Sequence, residues 1–275
     1  MLLAIIDLGT NTFHLLIVKP GENGKWNKLF KERVTVKLGQ GGMDKKIISR
    51  SAYHRGIKAI EQFRASLDLY NVNEIYAFGT AALRSAINGE KFVEEVATKF
   101  GINIRLISGE EEAEFIYFGV RKAVALGEQK SLIMDIGGGS LEFIIANDKE
   151  IFWKKSYPLG AALLLSKFKP SDPISSENLE EINSYIGDEL ASMLKECKIH
   201  KPVQIVGSAG SFETFASIIH NQHPDSGSHY KKTEHPISHS HFNSLYEELI
   251  VSDKKSRMKM KGLVKMRVDM IVLAA

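Results

Sequence analysis

Two aspartates, Asp7 and Asp135, each follow a short apolar run and precede a turn of small residues, Gly9–Thr12 in one case and Gly137–Ser140 in the other. The backbone N–H groups and hydroxyls of such turns bind anions, and a carboxylate beside a bound phosphate requires a divalent cation between them. The two motifs together therefore indicate phosphate binding with Mg²⁺. At either motif alone, an aspartate that bonds to its own turn backbone is an equal alternative.

A third turn of small residues, Gly207–Ser211, lies between a predicted strand and a predicted helix. The start of that helix would add its positive dipole end to an anion site. The sequence has no GxxxxGK[ST] pattern, so these turns are not a P-loop. The phosphate ligands predicted from the three turns are Gly9, Thr10, Asn11, Gly137, Gly138, Gly139, Ser140, Gly207, Ser208 and Gly210.

Three consecutive glutamates, Glu110–Glu112, occupy the first turn of a predicted helix. Acidic residues stabilise helix N-termini, which accounts for some of them. A glutamate near a terminal phosphate would also accept a proton from an attacking water. The spacing alone does not choose between these roles or among the three residues.

Arg84 and Arg33 are the candidate phosphate-binding cations. Arg84 follows the predicted strand Glu74–Phe78, where its guanidinium could fork onto phosphate oxygens, and a surface salt bridge is an equal alternative. Arg33 and three lysines flank the glycine-rich stretch Gly39–Gly42 and could line a polyanion channel. A solvated basic face is the default interpretation for the last two of those lysines.

The elements that must position these residues alternate between strands and helices, which predicts a mixed or parallel sheet covered by helices. Each aspartate motif is typical of two buried strands joined by a tight turn, and its repetition suggests a duplicated domain. We place the domains at 1–126 and 127–275, with the boundary in the polar stretch Gly127–Lys130. Ser49 is predicted to cap a helix, and Gly101 to end one.

The remaining predicted elements follow from periodicity and turn residues. Further strands are predicted at Ile102–Ile107, Ile151–Tyr157 and Gln204–Val206, and helices at Glu90–Phe100, 108–125, Glu177–Cys197, Phe212–His220 and Phe242–Ile250. The polar stretch Asn221–Glu234 is interpreted as a surface loop. A metal site at His239 and His241 is disfavoured, because no cysteine or second ligand pair accompanies them.

Composition excludes several classes of protein. Of the 275 residues, 44% are hydrophobic and 25% are charged, as in an ordinary globular protein. The net charge of +3 is too small to argue for nucleic-acid or membrane binding. Cys197 is the only cysteine, and no apolar run reaches the roughly 20 residues of a spanning helix. These features, with no apparent secretory signal, predict a cytoplasmic protein.

The motifs together resemble the exopolyphosphatase / guanosine pentaphosphate phosphohydrolase family. The resemblance rests on Asp7–Leu15, Gly79–Arg84, Ser108–Ala113, Asp135–Glu142 and Gly207–Gly210, whose order and spacing span most of the chain. It implies an α/β fold of two actin-like (ribonuclease H-like) domains with an active-site cleft between them. Leu141 and Ser211 stand where the family more often has threonine, and Thr10 where it has serine. Segment 261–275 resembles a late helix of the family.

The resemblance also implies roles for individual residues. Glu112, the glutamate directly before the alanine, would be the catalytic base, and Arg84 a phosphate ligand. Asp135 and Glu142, with Asp7 as a further candidate, would be associated with Mg²⁺. The sequence therefore predicts an exopolyphosphatase that releases orthophosphate from the end of inorganic polyphosphate.

Three alternatives stay open at this point. The first is hydrolysis of guanosine pentaphosphate (pppGpp) at its 5′ end by the same chemistry. The second is a non-catalytic sensor of nucleotide or polyphosphate, which retention of Glu112 disfavours. The third is a sugar kinase of the same superfamily, for which no acidic base in a sugar pocket is found. A homodimer also stays open.

Overall fold

The computed structural model of the chain describes residues 1–22, 25–224 and 234–275. The chain divides into two compact units, Met1–Ser108 (unit 1) and Gly109–Ala275 (unit 2). No helix among the described residues is long and apolar enough to cross a membrane.

Unit 1 is built on a five-stranded sheet in the order β3-β2-β1-β4-β5. Strand β1 pairs antiparallel with β2 and parallel with β4, and β2 pairs antiparallel with β3. Strand β5 continues the parallel half beside β4. The strands are β1 Leu3–Leu8, β2 Thr12–Pro20, β3 Trp26–Thr35, β4 Glu74–Gly79 and β5 Ile104–Leu106.

The helices among the described residues of unit 1 are α1 Arg50–Leu69, α2 Ala81–Ser85 and α3 Gly89–Phe100. The side chain of Ser49 accepts a hydrogen bond from the Ala52 N–H at the start of α1, so the predicted cap is confirmed. Helix α3 ends at Gly101, whose φ of 64° lies in the left-handed region that glycine adopts without steric cost.

Unit 2 repeats the arrangement with a four-stranded sheet in the order β8-β7-β6-β9. Strand β6 pairs antiparallel with β7 and parallel with β9, and β7 pairs antiparallel with β8. Its elements are α4 Gly109–Ala123, β6 Ser131–Ile136, β7 Leu141–Ala146, β8 Ile151–Tyr157, α5 Ala161–Phe168, α6 Ser176–His200, β9 Gln204–Ser208, α7 Ala209–Gln222, α8 His239–Val251 and α9 Lys254–Arg257.

The duplication extends to the turns that follow the two aspartates. The Gly9 N–H donates to the Thr12 carbonyl at 3.1 Å, and the Gly137 N–H donates to the Ser140 carbonyl at 3.0 Å. The first four strands of each unit also have the same order and the same directions. The predicted α/β fold with two related halves is therefore confirmed.

The domain boundary that the sequence places after residue 126 stays a prediction. In the structure, helix α4 belongs to unit 2, which begins at Gly109. The physical reason is an apolar cluster. Ala113 and Tyr117 of α4 are buried together with Ile133 of β6 and Ile144 of β7. Glu114 of α4 also forms an ion pair with Lys154 of β8, with 2.6 Å between Oε2 and Nζ.

Segment 261–275 differs from its predicted helix. It contains one short 3-10 helix, Lys265–Arg267, and otherwise turns. Gly262 has a φ of 92° and approaches the backbone of α7 at Ser217, and this left-handed conformation does not continue a helix. Buried Arg257 holds the segment in place, since its Nε donates to the Val268 carbonyl at 2.8 Å.

Further differences concern the start of a predicted loop and two elements that the sequence does not predict. The predicted loop 221–234 begins inside α7, which runs to Gln222, and its residues 225–233 lie outside the described part of the chain. The exposed edge strand β3 and the five-residue helix α2 have no counterpart in the sequence prediction. His239 and His241 lie in the first turn of α8.

Candidate active site

Asp135 and Glu142 face each other across the antiparallel pair β6–β7. Directly opposed residues in such a pair lie on the same face of the sheet, so the two carboxyl groups are neighbours. The Ser208 side chain bonds to Asp135, and Ser156 Oγ donates to Glu142 Oε1 at 2.8 Å. Glu142 is only 1% exposed, which is unusual for a carboxylate.

The charge environment of these carboxylates links them to Glu112. Burial raises the pKa of Asp135 to about 6. Burial also raises the pKa of Glu142 to about 8, and the negative charges of Glu112 and, less strongly, Asp135 add to that rise. Glu112 lies in the first turn of α4, which packs on β7 and β8, so one sheet and one helix end bring the three acids together.

This set of groups fits a hard divalent cation. Oxygen ligands suit Mg²⁺, and raised carboxyl pKa values indicate buried acids that lack a compensating positive charge. Across residues 1–22, 25–224 and 234–275, no group of three His, Cys, Asp or Glu side chains could by itself hold a metal ion. Mg²⁺ commonly binds through one or two carboxylates and keeps several waters, which agrees with that arrangement.

The third turn, at the start of α7, is contacted by Arg267, which the sequence analysis did not identify. Ser208 lies opposite Asp135 in the parallel pair β6–β9. The Arg267 guanidinium occupies the space that a Cβ on Gly210 would need, and its Nη1 donates to Thr214 Oγ1 at 3.4 Å. The positive side chain therefore lies against the third glycine turn. No local sequence signal marks Arg267, because the contact joins distant parts of the chain.

Gly207 has a packing explanation of its own. A Cβ at this position would overlap the ring of Phe212 one turn into α7. The glycine is thus required by the close approach of an aromatic ring, and its role in phosphate binding stays a prediction.

In unit 1, Asp7 lies near the end of β1 and is exposed. The turn after it is tied to the segment that follows β3. The Thr10 carbonyl accepts from the Gly39 N–H at 3.3 Å, and the Asn11 carbonyl accepts from the Val36 N–H at 3.0 Å. Both bonds join backbone groups, so the backbone holds this turn in its shape.

Arg84 lies on α2, directly after β4, and is half-buried. Its Nη1 donates to the Ile107 carbonyl at the end of β5, at 2.7 Å. The Thr80 N–H, at the start of α2, donates to the Leu8 carbonyl at the end of β1, at 3.4 Å. The guanidinium is therefore held at the carboxyl ends of parallel strands, where open α/β sheets bind ligands.

Arg33 lies near the C-terminal end of the exposed edge strand β3. It is paired with His14 on β2, and His14 is paired with Asp7 on β1. The three residues form one row across the sheet, so Arg33 is two strands, about 10 Å, from Asp7.

The predicted site residues form two groups, one in each unit. Unit 1 carries Asp7, Gly9, Thr10, Asn11, Arg33 and Arg84; unit 2 carries Glu112, Asp135, Gly137, Gly138, Gly139, Ser140, Glu142, Gly207, Ser208 and Gly210.

Comparison with known proteins decides the family. The sequence profile described as the Ppx/GppA phosphatase family matches residues 17–275. The chain belongs to this family. A crystal structure of an exopolyphosphatase from Cytophaga hutchinsonii is 34% identical, with a TM-score of 0.93, and the match covers 100% of this chain and 88% of that one.

Two other relatives agree with this assignment. A Haemophilus influenzae protein named "Putative exopolyphosphatase" is 28% identical over 270 residues, which cover 98% of this chain and 80% of that protein. The crystal structure of the Aquifex aeolicus Ppx/GppA family member has a TM-score of 0.77 at 22% identity. That match covers 100% of this chain and 87% of the Aquifex chain, and it shows the shared fold.

Membership in the Ppx/GppA family confirms the resemblance drawn from the motifs. It also confirms the predicted class of enzyme, a hydrolase of phosphoanhydride bonds, and the predicted α/β fold class. The roles of the individual site residues, the metal and the exact substrate are developed below as proposals.

Proposed function

We propose that this chain is a Mg²⁺-dependent exopolyphosphatase that releases orthophosphate from the end of inorganic polyphosphate. The observation that carries the proposal is the group of three acids in unit 2, Glu112, Asp135 and Glu142, beside the turn Gly137–Ser140. The relatives from Cytophaga hutchinsonii and Haemophilus influenzae, whose names are those of exopolyphosphatases, support the choice of polymer.

Glu112 would act as the general base. Its carboxylate accepts a proton from a water as the water oxygen forms a bond to the terminal phosphorus and the bridging P–O bond breaks. The shortened polyphosphate leaves with the electron pair of that bond, and orthophosphate is released. Phosphoryl transfer depends mainly on positioning and charge stabilisation, which agrees with a site that needs no covalent nucleophile.

Asp135 and Glu142 would hold the cation, with Asp7 as a further candidate from unit 1. When bound, Mg²⁺ supplies charge neutralisation at the phosphate oxygens. Ser208 and Ser156 orient the two carboxylates through their hydrogen bonds and so fix which oxygens are presented. The ligating forms are the carboxylate anions, so metal binding would release the protons that burial favours.

The glycine turns and Arg84 would hold the terminal phosphate. Backbone N–H groups of the turns donate to phosphate oxygens without a formal charge, and the Arg84 fork adds two parallel donors. Its bond to the Ile107 carbonyl sets the plane of the guanidinium in advance, which lowers the entropy lost on binding. Arg267 would add positive charge at the third turn.

The change Arg84→Ala is expected to weaken binding of polyphosphate by at least about tenfold, since charge-assisted bonds contribute about 1.5–3 kcal/mol. Lys45→Ala is the control, because Lys45 is exposed and its charge is screened by salt. KM and the inhibition constant of orthophosphate measure the effect. Equal changes in both variants contradict the role given to Arg84.

Hydrolysis of pppGpp is the second candidate, because the chain belongs to the Ppx/GppA phosphatase family and the resemblance drawn from the motifs leaves this substrate open. The deciding experiment measures orthophosphate release from polyphosphate, pppGpp and ATP side by side at saturating Mg²⁺. We expect the highest kcat/KM with polyphosphate. A higher value with pppGpp replaces the proposed substrate, and tight binding without turnover of any of the three identifies a sensor.

We also place the protein in the cytoplasm. Cys197 is a free, half-buried thiol, which suits a reducing compartment. The homodimer is tested by sedimentation of the purified chain, whose own mass is 30.7 kDa.

A further inference from the structure

Helix α5 meets the turn Gly137–Ser140 end-on. The N–H groups of Ala161, Ala162 and Leu163 are the first donors of the helix and have no partner within it. The Ala161 N–H donates to the Gly137 carbonyl at 3.1 Å. Those of Ala162 and Leu163 donate to the Gly138 carbonyl at 2.9 and 3.0 Å. The start of α5 therefore satisfies its own donors by holding two carbonyls of the turn.

These bonds also set the direction of the opposite side of the turn. In a trans peptide, the carbonyl of one residue and the N–H of the next point in opposite directions. Because the Gly137 and Gly138 carbonyls point at α5, the N–H groups of Gly138 and Gly139 point away from it. These two N–H groups belong to the turn proposed to hold phosphate.

Gly160 is what allows α5 to approach so closely. Its φ of −63° and ψ of 146° are open to any residue, so the backbone conformation does not require glycine. The space does, because a Cβ on Gly160 would overlap the peptide between Gly138 and Gly139. The obstructing atoms are backbone, which a rotamer change cannot move.

Helix α5 is itself firmly anchored. Leu159, Ala161 and Leu164 are each at most 2% exposed and belong to the main apolar cluster of unit 2. Phe215 and Ile271 of the same cluster are fully buried. A side chain added at Gly160 would therefore displace the turn rather than the helix.

We propose that α5 positions the phosphate-binding turn from behind, and that Gly160 is a positioning residue for the reaction. This inference rests on the proposed function, because it assumes that the turn binds phosphate. The hydrogen bonds that α5 donates to the Gly137 and Gly138 carbonyls set the direction of the N–H donors of Gly138 and Gly139, which belong to the same two peptides. A shift of the turn by about 1 Å would misalign them, and such a misplacement costs about 10²-fold in rate.

The test compares Gly160→Ala with Gly187→Ala, a control at which an added Cβ has no atom within 4 Å. For Gly160→Ala we expect kcat on polyphosphate to fall about 10²-fold. We also expect KM and the calorimetric dissociation constant of inorganic phosphate, measured with Mg²⁺, to rise at least tenfold. The turn would contact phosphate in both the ground state and the transition state, so the binding constants change together with kcat.

A merely structural role gives a different pattern. Partial unfolding of Gly160→Ala lowers apparent kcat but leaves KM and phosphate affinity unchanged, and that result overturns the proposal. So does behaviour equal to that of Gly187→Ala. Phosphate calorimetry needs no turnover, so it separates failure of this inference from failure of the polyphosphate assignment.

Amide hydrogen exchange on the unmodified chain gives a second measurement, which decides the matter if Gly160→Ala does not fold. We expect the N–H groups of Ala161, Ala162 and Leu163 to exchange as slowly as those of β6. Addition of inorganic phosphate with Mg²⁺ should slow exchange at Gly138 and Gly139. Fast exchange at the start of α5, or no effect of phosphate on the two glycines, contradicts the proposal.

Discussion

Glu112→Gln is expected to lower kcat on polyphosphate by about 10²–10⁴-fold while KM stays within a few fold, because glutamine keeps the size of the side chain but cannot accept a proton. In the structure, Glu112 differs from Glu110 in its burial and in its charge interaction. Glu112 is half-buried and its charge acts on Glu142, whereas Glu110 is exposed in the same helical turn. Steady-state phosphate release over a range of substrate concentrations measures both constants.

Glu110→Gln is the matched control for this prediction. It removes one acidic group from the start of α4 and so loses a similar interaction with the helix dipole, which contributes about 0.3–1 kcal/mol. We expect its kcat to stay within a few fold of the unmodified enzyme. Equal losses in the two variants mean that the catalytic base was assigned to the wrong glutamate.

Glu142→Gln is expected to have two effects of opposite sign. It should lower kcat by at least about 10²-fold, since the proposed metal ligand, which would support transition-state charge, is lost. It should also stabilise the metal-free protein at alkaline pH, because the amide removes a buried charge. Phosphate release and thermal unfolding in EDTA measure the two effects on the same samples.

The sign of the pH dependence follows from the raised pKa of Glu142. Burial and the charge of Glu112 raise this pKa from 4.5 to about 8, so between these values the folded chain holds a proton that the unfolded chain has released. The contribution of Glu142 to stability is therefore full below pH 4.5 and is lost as pH rises towards 8. Asp135 adds a smaller loss in the same direction between pH 3.8 and about 6.

The advantage of Glu142→Gln in melting temperature should therefore be near zero at pH 5 and grow up to about pH 8.5. Glu150→Gln is the control, because Glu150 is exposed and should show no such trend. Mg²⁺ added to the unmodified protein should reduce the difference at high pH. A constant difference across the pH range contradicts the buried, protonated state assigned to Glu142.

Local signals in the sequence predict those elements whose causes are local. Ser49 caps α1 because its side chain reaches an N–H three residues on, and Gly101 ends α3 because it adopts a left-handed conformation. Strand β8 has the predicted bounds Ile151–Tyr157. Strand β3 was missed because it is an edge strand with a mostly exposed, charged sequence, and α2 because five residues carry no periodicity.

The candidate site likewise has features that local sequence signals predict and features that only the fold reveals. Asp135 and the turn Gly137–Ser140 are adjacent in sequence, so the motif alone predicts that they lie together, whereas Glu142 was assigned through the family resemblance. The choice of Glu112 came from family resemblance, and its charge interaction with Glu142 became visible only when α4 was placed on the sheet. Arg267 against Gly210 and Gly160 against Gly138 are contacts across the fold, and single residues at those positions give no local signal.

The most direct test of the central claim is orthophosphate release from polyphosphate by metal-stripped enzyme, with and without added Mg²⁺. We expect chelation to lower the rate at least about 10²-fold and Mg²⁺ to restore it, because charge on the phosphate oxygens and on the acids of unit 2 must be neutralised. Restoration should fail in Glu142→Gln. Undiminished phosphate release after thorough chelation contradicts a metal-dependent reaction.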